Sequence, residues 1–282
     1  MSDGYEKVDV SVYEFFADYI LKNTGIVYAK NEYYRLEKRL RDLVSELDAE
    51  NVAEVYQRYR TRVSKEMHDK LLEVATNNET YFFRDDAHFR VLNKVIIPAI
   101  NKEVLSSPSL GHTKRRVTVW SAGCSSGQEP CSILIHALEE YPLLDISIDA
   151  TDISMEVLDV AKEAVYDELD VQRGMPIKML IKYFEQLPDD RWRLRTQYRQ
   201  YLSFGRLNLL LDDFPSRAYD VIFCRNVLIY QTLENKKKII EKFHRSLKSD
   251  GHFMMGSGEA LPELSGSFVK VFAEGGVVYK KS

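Results

Sequence analysis

The sequence is poor in cysteine and nearly balanced in charge. Its 282 residues hold three cysteines, Cys124, Cys131 and Cys224, with no CxxC pair, so we expect reduced thiols in the core and no metal site. A formal net charge of −4 gives no reason to expect nucleic acid as the main partner. The first twelve residues lack the basic stretch and apolar run of a signal peptide. No apolar stretch approaches the roughly 18 residues that span a bilayer. These absences predict a soluble, cytoplasmic protein without membrane insertion.

Helical periodicity dominates the beginning of the chain. VYEFFADYILKNTG places apolar residues at helical spacing and ends at Gly25, a residue typical of helix C-caps. EYYRLEKRLRDLVSEL repeats the period and carries a second, basic face formed by Arg35, Lys38, Arg39 and Arg41. We therefore predict an all-helical N-terminal domain over residues 1–75, followed by a second domain over 76–282.

Strands and helices alternate from Val117 onward. VTVWSAG, ISIDATDI, YDVIFCRNV and GHFMMGSG predict strands separated by helices, which indicates an α/β fold with a mainly parallel, Rossmann-like sheet. SFVKVFAEGGVVYKK, near the end, predicts an antiparallel hairpin around a Gly-Gly turn. Polar and apolar residues alternate in RWRLRTQYRQYLSFGRL, which predicts a small antiparallel β insertion at about residues 188–204.

A glycine-containing turn, WSAGCSSGQEP, joins the first predicted strand to a helix. Such a turn lets a ligand approach the backbone closely, although a tight turn without a ligand is an open alternative. Gly123 and Gly127 are spaced wrongly for the GxGxxG fingerprint of dinucleotide sites, and no lysine follows Gly127 as in a P-loop. Residues 120–131 contain no lysine or arginine that would bind phosphate. A nucleoside ligand without phosphates fits this turn better.

Two carboxylates near the turn favour S-adenosylmethionine (SAM), whose ammonium and sulfonium charges suit acidic surroundings. Asp152 ends the second predicted strand, where an acid can accept hydrogen bonds from both ribose hydroxyls. Glu129 lies in the first helical turn, where it can serve polar groups of the ligand and gains from the helix dipole. An ordinary helix-start residue and an ordinary turn acid are the alternatives for Glu129 and Asp152.

Four separated stretches resemble motifs of one enzyme family. NETYFFRD (78–85) resembles an Asn-x-Thr-x-Phe-Phe-Arg motif, and VWSAGCSSGQEPCSI resembles a SAM loop that usually ends Gly-Glu-Glu-Pro-Tyr-Ser. ATDIS (150–154) resembles the acidic strand end, and FCRNVLIY (223–230) resembles Phe-Cys-Arg-Asn-Val-x-Ile-Tyr. The order and spacing of these stretches resemble those of the CheR family of chemotaxis receptor glutamate methyltransferases. The resemblance covers nearly the whole chain.

The resemblance implies a SAM-dependent protein-glutamate O-methyltransferase that produces S-adenosylhomocysteine. Its substrate would be the helical cytoplasmic bundle of methyl-accepting chemotaxis receptors. Nothing in the sequence suggests an obligate interface, so we expect a monomer. Tyr230 would face the methyl group, and Arg84 would pair with a carboxylate of either the cofactor or the substrate. The implied cofactor-binding residues are Asn78, Thr80, Arg84, Glu129, Asp152, Asn208, Leu209, Arg225 and Asn226.

Departures from the family pattern qualify this interpretation. Gln128 and Cys131 replace the usual Glu and Tyr, and GSGEAL (256–261) replaces the more usual Gly-His-Ser-Glu-Asn-Phe. LPDDRWRLR lacks the glycines that help some members bind a receptor tail, so direct docking through the arginine-rich insertion or the basic helix face is expected. The alternatives are a SAM-binding regulatory module and a methyltransferase acting on another protein or on a small-molecule carboxylate.

Overall fold

The computed structural model describes residues 8–106, 115–262 and 267–282, so most of the segment considered for a signal peptide lies outside it. Four helices precede Thr76 in this described part: α1 (Val10–Thr24), α2 (Tyr33–Glu46), α3 (Val52–Thr61) and α4 (Lys65–Ala75). Gly25 ends α1 with a φ of 78°, in the left-handed region where glycine carries no steric penalty. The apolar faces of these helices share a core of their own, which includes Phe16, Leu40 and Tyr59.

The remaining helices surround the sheet. They are α5 (Ala87–Val91), α6 (Ile97–Ser106), α7 (Gln128–Glu140), α8 (Met155–Glu163), α9 (Glu168–Gln172), α10 (Ile177–Tyr183), α11 (Thr196–Arg199) and α12 (Leu233–Ser246). A π-helical turn at Leu92–Ile96 joins α5 to α6. The strands are β1 (Val117–Ala122), β2 (Ile146–Asp152), β3 (Val165–Tyr166), β4 (Phe184–Gln186), β5 (Trp192–Leu194), β6 (Leu202–Arg206), β7 (Tyr219–Phe223), β8 (Leu247–Met254), β9 (Phe268–Ala273) and β10 (Gly276–Lys281).

Seven strands form one mixed sheet in the order β6-β2-β1-β7-β8-β10-β9. The first five are parallel, whereas β10 runs antiparallel to both β8 and β9. Val117, Val119 and Trp120 of the central strand β1 are almost fully buried, as expected for a parallel strand covered on both faces. The chain turns from β1 toward β2 on one side and later toward β7 on the other, so a switch point lies at the carboxyl ends of β1 and β7. The predicted α/β fold and terminal hairpin are confirmed.

The predicted β insertion differs from the structure at both ends. The small antiparallel sheet has the order β3-β5-β4, so it begins well before residue 188. Residues 202–204, placed in the insertion by the sequence, belong to β6, which pairs in parallel with β2. That part of the prediction was wrong because alternation marks a half-buried strand but specifies neither its partner nor its direction.

Two further predictions concern the cysteines and the possibility of a membrane-spanning helix. Cys124, Cys131 and Cys224 are free and buried, which confirms that they are thiols of the core. In the described ranges, no helix combines the length and apolar character needed to cross a bilayer.

Candidate functional site

A cleft opens at the carboxyl ends of β1, β2 and β7, where ligands bind in open α/β sheets. The turn after β1, the end of β2 and the loops after β6 and β7 form its floor, and residues 76–84 cover it from the helical side. All ten residues proposed from the sequence line this one cleft: Asn78, Thr80, Arg84, Glu129, Asp152, Asn208, Leu209, Arg225, Asn226 and Tyr230.

The glycines of the turn are required mainly by neighbouring protein atoms. Gly123 and Gly127 have φ values of 79° and 91°, in the left-handed region. A Cβ at Gly123 would lie 2.5 Å from a methyl group of Val227, and one at Gly127 would lie 3.0 Å from the Cβ of Ala161. The bare turn thus allows the loop after β7 and helix α8 to close around the cleft.

Asp152 connects the end of β2 to the turn after β1. Its side chain is buried, and its two carboxylate oxygens accept the backbone N–H groups of Ser125 at 2.9 Å and Ser154 at 3.1 Å. Burial raises the pKa of Asp152, while these N–H groups oppose that rise. A carboxylate has about four acceptor positions, so Asp152 can hold the turn and still accept ligand hydroxyls.

Arg225 joins three segments of the site through a buried guanidinium. Nη1 donates to Glu129 Oε2 at 3.0 Å, Nη2 donates to the Arg84 carbonyl oxygen at 2.5 Å, and Nη2 also lies 3.2 Å from Asp85 Oδ2. The other oxygen of Glu129 accepts the Ser121 hydroxyl at 2.7 Å. Burial alone would raise the pKa of Asp85, but the Arg225 charge and hydrogen bonds from the protein hold it below its usual value. Arg225 lines the cleft chiefly by fixing Glu129 in place.

The segment before α5 carries Asn78 and Arg84 into the cleft. Its backbone is held by the Ser125 hydroxyl, which donates to the Asn78 carbonyl oxygen at 2.8 Å. Arg84 donates to the Glu79 carbonyl oxygen at 3.3 Å, and its guanidinium lies over the ring of Tyr81. Arg84 forms no ion pair with any residue that the structure describes, so its charge is available to a carboxylate.

Asn208 is tied to the protein by its side-chain amide. Nδ2 donates to the Asn23 carbonyl oxygen at 2.6 Å, and Oδ1 accepts from the Leu210 and Leu211 backbones at 3.0 and 3.2 Å. Asn208 and Leu209 line the cleft here, with the side-chain amide of Asn208 already engaged by the protein.

Sequence reasoning missed Glu259, which positions the loop after β7. Its carboxylate accepts the backbone N–H groups of Asn226 at 2.7 Å, Gly256 at 2.8 Å and Ile229 at 3.2 Å. Asn226 is thereby held with a φ of 60°, a conformation that Asn tolerates better than most residues. The signal was present, because GSGEAL keeps the Glu of the family segment Gly-His-Ser-Glu-Asn-Phe.

The N-terminal helices also supply a wall that the sequence did not predict. Thr24 and Ile26 line the cleft, and Ile26 forms a short antiparallel bridge with Gln231. The Val27 backbone N–H donates to the Tyr230 carbonyl oxygen at 2.9 Å. No local signal could have shown this, because about 200 residues separate the two segments along the chain.

Tyr230 lies in a 3₁₀ turn, Leu228–Tyr230, with its hydroxyl at the cleft. The hydroxyl oxygen accepts a hydrogen bond from Nδ2 of Asn77 at 2.8 Å. Asn77, next to the predicted Asn78, was not singled out from the sequence.

The donor and acceptor set of the cleft fits SAM. The buried carboxylate of Asp152 lies at the end of β2, and the partly buried carboxylate of Glu129 lies in the first turn of α7. The buried Oδ1 of Asn226 has no hydrogen-bond partner among the described residues. An orphaned acceptor and two acids suit the amino, ammonium and hydroxyl groups of such a ligand. The fold and the site together define a SAM-dependent methyltransferase.

Comparison with known proteins identifies the family. The family model "CheR methyltransferase, SAM binding domain" matches residues 78–277, so the chain belongs to the CheR family. "Chemotaxis protein methyltransferase 1" of Pseudomonas aeruginosa is 33% identical over 276 residues, which cover 95% of this chain and 97% of that protein. A "Chemotaxis protein methyltransferase" of Borreliella burgdorferi is 33% identical over 86% of this chain and 85% of its own length. One of Vibrio anguillarum is 30% identical over 95% and 96%. The predicted family, enzyme class and cofactor are confirmed.

Proposed function

We propose that this enzyme methylates glutamate side chains of methyl-accepting chemotaxis receptors, giving glutamate 5-O-methyl esters and S-adenosylhomocysteine during adaptation. The observation that carries the proposal is that the Arg84 guanidinium and the Tyr230 hydroxyl, two donors suited to a carboxylate, line the same cleft as the SAM residues. The relatives named above are chemotaxis protein methyltransferases, which supports a receptor as the substrate.

The reaction requires orientation more than proton transfer. Bound SAM supplies a methyl group on a sulfonium sulfur, open to in-line attack by an oxygen. A glutamate carboxylate, with a pKa of about 4.3, is already an anion near neutral pH. No residue of the chain therefore has to remove a proton before the attack. Tyr230 donates its hydroxyl to the incoming carboxylate and thereby holds the attacking oxygen in line with the methyl group.

The other cleft residues bind the cofactor. Asp152 accepts the ribose hydroxyls, and Glu129, held by Arg225, serves the charged methionine part. The wall formed by Asn208 and Leu209 borders the adenine. Asn78, Thr80, Asn226 and Arg84 complete the set, and Arg84 holds a carboxylate of either the methionine part or the substrate.

The acidic helical bundle of a receptor would dock near α2 in the cytoplasm, with the enzyme as a monomer. Arg39 of the predicted basic face borders a hollow that also includes Asn77 and Asn78 of the cleft. That continuity supports docking on the face formed by Arg35, Lys38, Arg39 and Arg41. The arginines of the insertion bind neighbouring groups, as Arg35 and Arg41 of α2 bind Glu32 and Glu37, so the continuity with the cleft is what favours the α2 face. The pairs of the insertion are Arg191 with Asp189, Arg193 with Glu185, Arg195 with the Ile181 carbonyl and Arg199 with the Lys162 carbonyl.

The test is methyl transfer from labelled SAM to receptor-containing membranes, followed by mild alkali. We expect volatile labelled methanol, which identifies a carboxyl methyl ester. Tyr230→Phe and Arg84→Ala should lower the signal, whereas Phe272→Leu, a change at an exposed side chain of β9 that does not line the cleft, should not. SAM affinity then assigns Arg84: weaker SAM binding in Arg84→Ala points to the cofactor carboxylate, and a raised receptor KM alone points to the substrate.

Two results would contradict the proposal. Label that stays on the protein through alkali would identify a different acceptor atom. No label on any receptor, with SAM binding intact, would favour a SAM-binding regulatory module.

A further inference from the structure

The hydrogen bond between Asn77 and Tyr230 has a defined direction. Nδ2 of Asn77 lies 2.8 Å from the Tyr230 hydroxyl oxygen. An amide nitrogen has hydrogens to donate but does not accept, so the phenolic oxygen is the acceptor. The phenolic hydrogen of Tyr230 must therefore point away from Asn77.

The backbone of Tyr230 is held independently of that bond. Its carbonyl oxygen accepts the Val27 N–H at 2.9 Å, and its own N–H donates to the Val227 carbonyl oxygen at 3.4 Å. With the turn fixed, rotation about the phenolic C–O bond is the main freedom of the hydroxyl hydrogen. No described residue other than Asn77 forms a hydrogen bond with this hydroxyl, so its hydrogen is available to an acceptor in the cleft.

We propose that Asn77 is a positioning residue for methyl transfer, which directs the phenolic hydrogen of Tyr230 toward the incoming glutamate carboxylate. The inference rests on the proposed function. A donor to the oxygen of a hydroxyl polarises its O–H bond, so Asn77 also strengthens Tyr230 as a donor. Asn77 precedes the residues matched by the family model, which begin at 78, and exerts this effect through Tyr230.

A double-mutant cycle in the full-length enzyme tests this coupling. We expect Asn77→Ala to lower kcat for receptor methylation roughly tenfold, the size of one strong hydrogen bond, with smaller effects on SAM affinity and receptor KM. In a Tyr230→Phe background the same change should have no further effect. If Asn77 had a merely structural role, Asn77→Ala would still lower kcat in the Tyr230→Phe background.

A second variant keeps the shape of the side chain and reverses its hydrogen-bonding role. Asn77→Asp offers only acceptor oxygens, so it should capture the phenolic hydrogen and lower kcat at least as much as Asn77→Ala. Its effect in Tyr230→Phe measures the influence of the added charge alone. Thermal unfolding of each variant shows whether the fold is retained, as the exposed position of Asn77 leads us to expect.

The outcomes separate this inference from the proposed function. Ester formation by the wild-type enzyme, with equal losses from Asn77→Ala in both backgrounds or with no loss in either, would overturn the role of Asn77 alone. Absence of an alkali-labile ester with the wild-type enzyme would overturn the proposed function and this inference with it.

Discussion

Replacing Arg225 by methionine should destabilise the fold more than any other change at the cleft. The guanidinium is buried between Glu129, Asp85 and the Arg84 carbonyl, and its side chain is only 2% exposed. Methionine fills similar space but provides no donor, so two acids lose their common cation.

The expected size follows from those contacts. Removing one partner of a buried ion pair costs about 3–5 kcal/mol, and the partial exposure of Asp85 and Glu129 places the expected cost at the lower end of that range. Domains are stable by only about 5–15 kcal/mol, and each kcal/mol shifts Tm by roughly 2–4 °C in a chain of this size. We therefore expect Tm to fall by about 10 °C.

Calorimetry and SAM titration provide the assay. Glu129→Gln combined with Arg225→Met should recover part of the lost Tm, since it removes one orphaned charge. The matched control is Arg35→Met, which breaks an exposed pair with Glu32 and should cost about 1 kcal/mol at most. A Tm within about 2 °C of wild type, together with loss of SAM binding, would refute the reasoning and make Arg225 a direct ligand contact.

Two other changes probe the surroundings of the cleft. The side chain introduced by Glu259→Gln can accept at only one oxygen, so it should lose at least one of the three hydrogen bonds from backbone N–H groups. We expect a loss of about 2 kcal/mol in the free energy of unfolding by denaturant, and a larger effect on kcat than on SAM binding. An unchanged free energy of unfolding would contradict this. His88 is buried, and burial together with the nearby Arg225 charge lowers its pKa from 6.5 to about 4. Between pH 4 and pH 6.5 the unfolded chain binds more protons than the folded one. The contribution of neutral His88 to the free energy of unfolding is therefore complete above pH 6.5, and about 3 kcal/mol of it is lost by pH 4. His88→Asn should show a shallower decline in unfolding free energy between pH 7.5 and 4.5, and parallel curves would refute this assignment.

Periodicity was sufficient to predict the architecture but not every strand partner. The parallel sheet and the hairpin followed from strands alternating with helices and from a Gly-Gly turn. The insertion was misjudged because the edge strand β6 and the insertion strand β5 show the same alternation, and only the register with β2 distinguishes them.

Motifs indicated which residues gather in the cleft, but not which atoms face it. Asn208 and Arg225 both reach the site, yet their polar atoms largely bind other parts of the protein. Thr24 and Ile26 escaped prediction because their contact with the sheet depends on the packing of distant segments. Sequence carries little information about such long-range contacts.

The strand-like bridge between Ile26 and Gln231 gives the helical region a mechanical connection to the chemistry. One backbone hydrogen bond, from Val27 to Tyr230, joins the segment after α1 to the turn that bears the phenol. A displacement of α1 relative to the sheet therefore moves the phenol directly, without a relay through the core. A chain trimmed to the matched residues 78–277 would lose the cleft wall formed by Thr24 and Ile26, the hydrogen bond from Val27 to Tyr230, and most of strand β10.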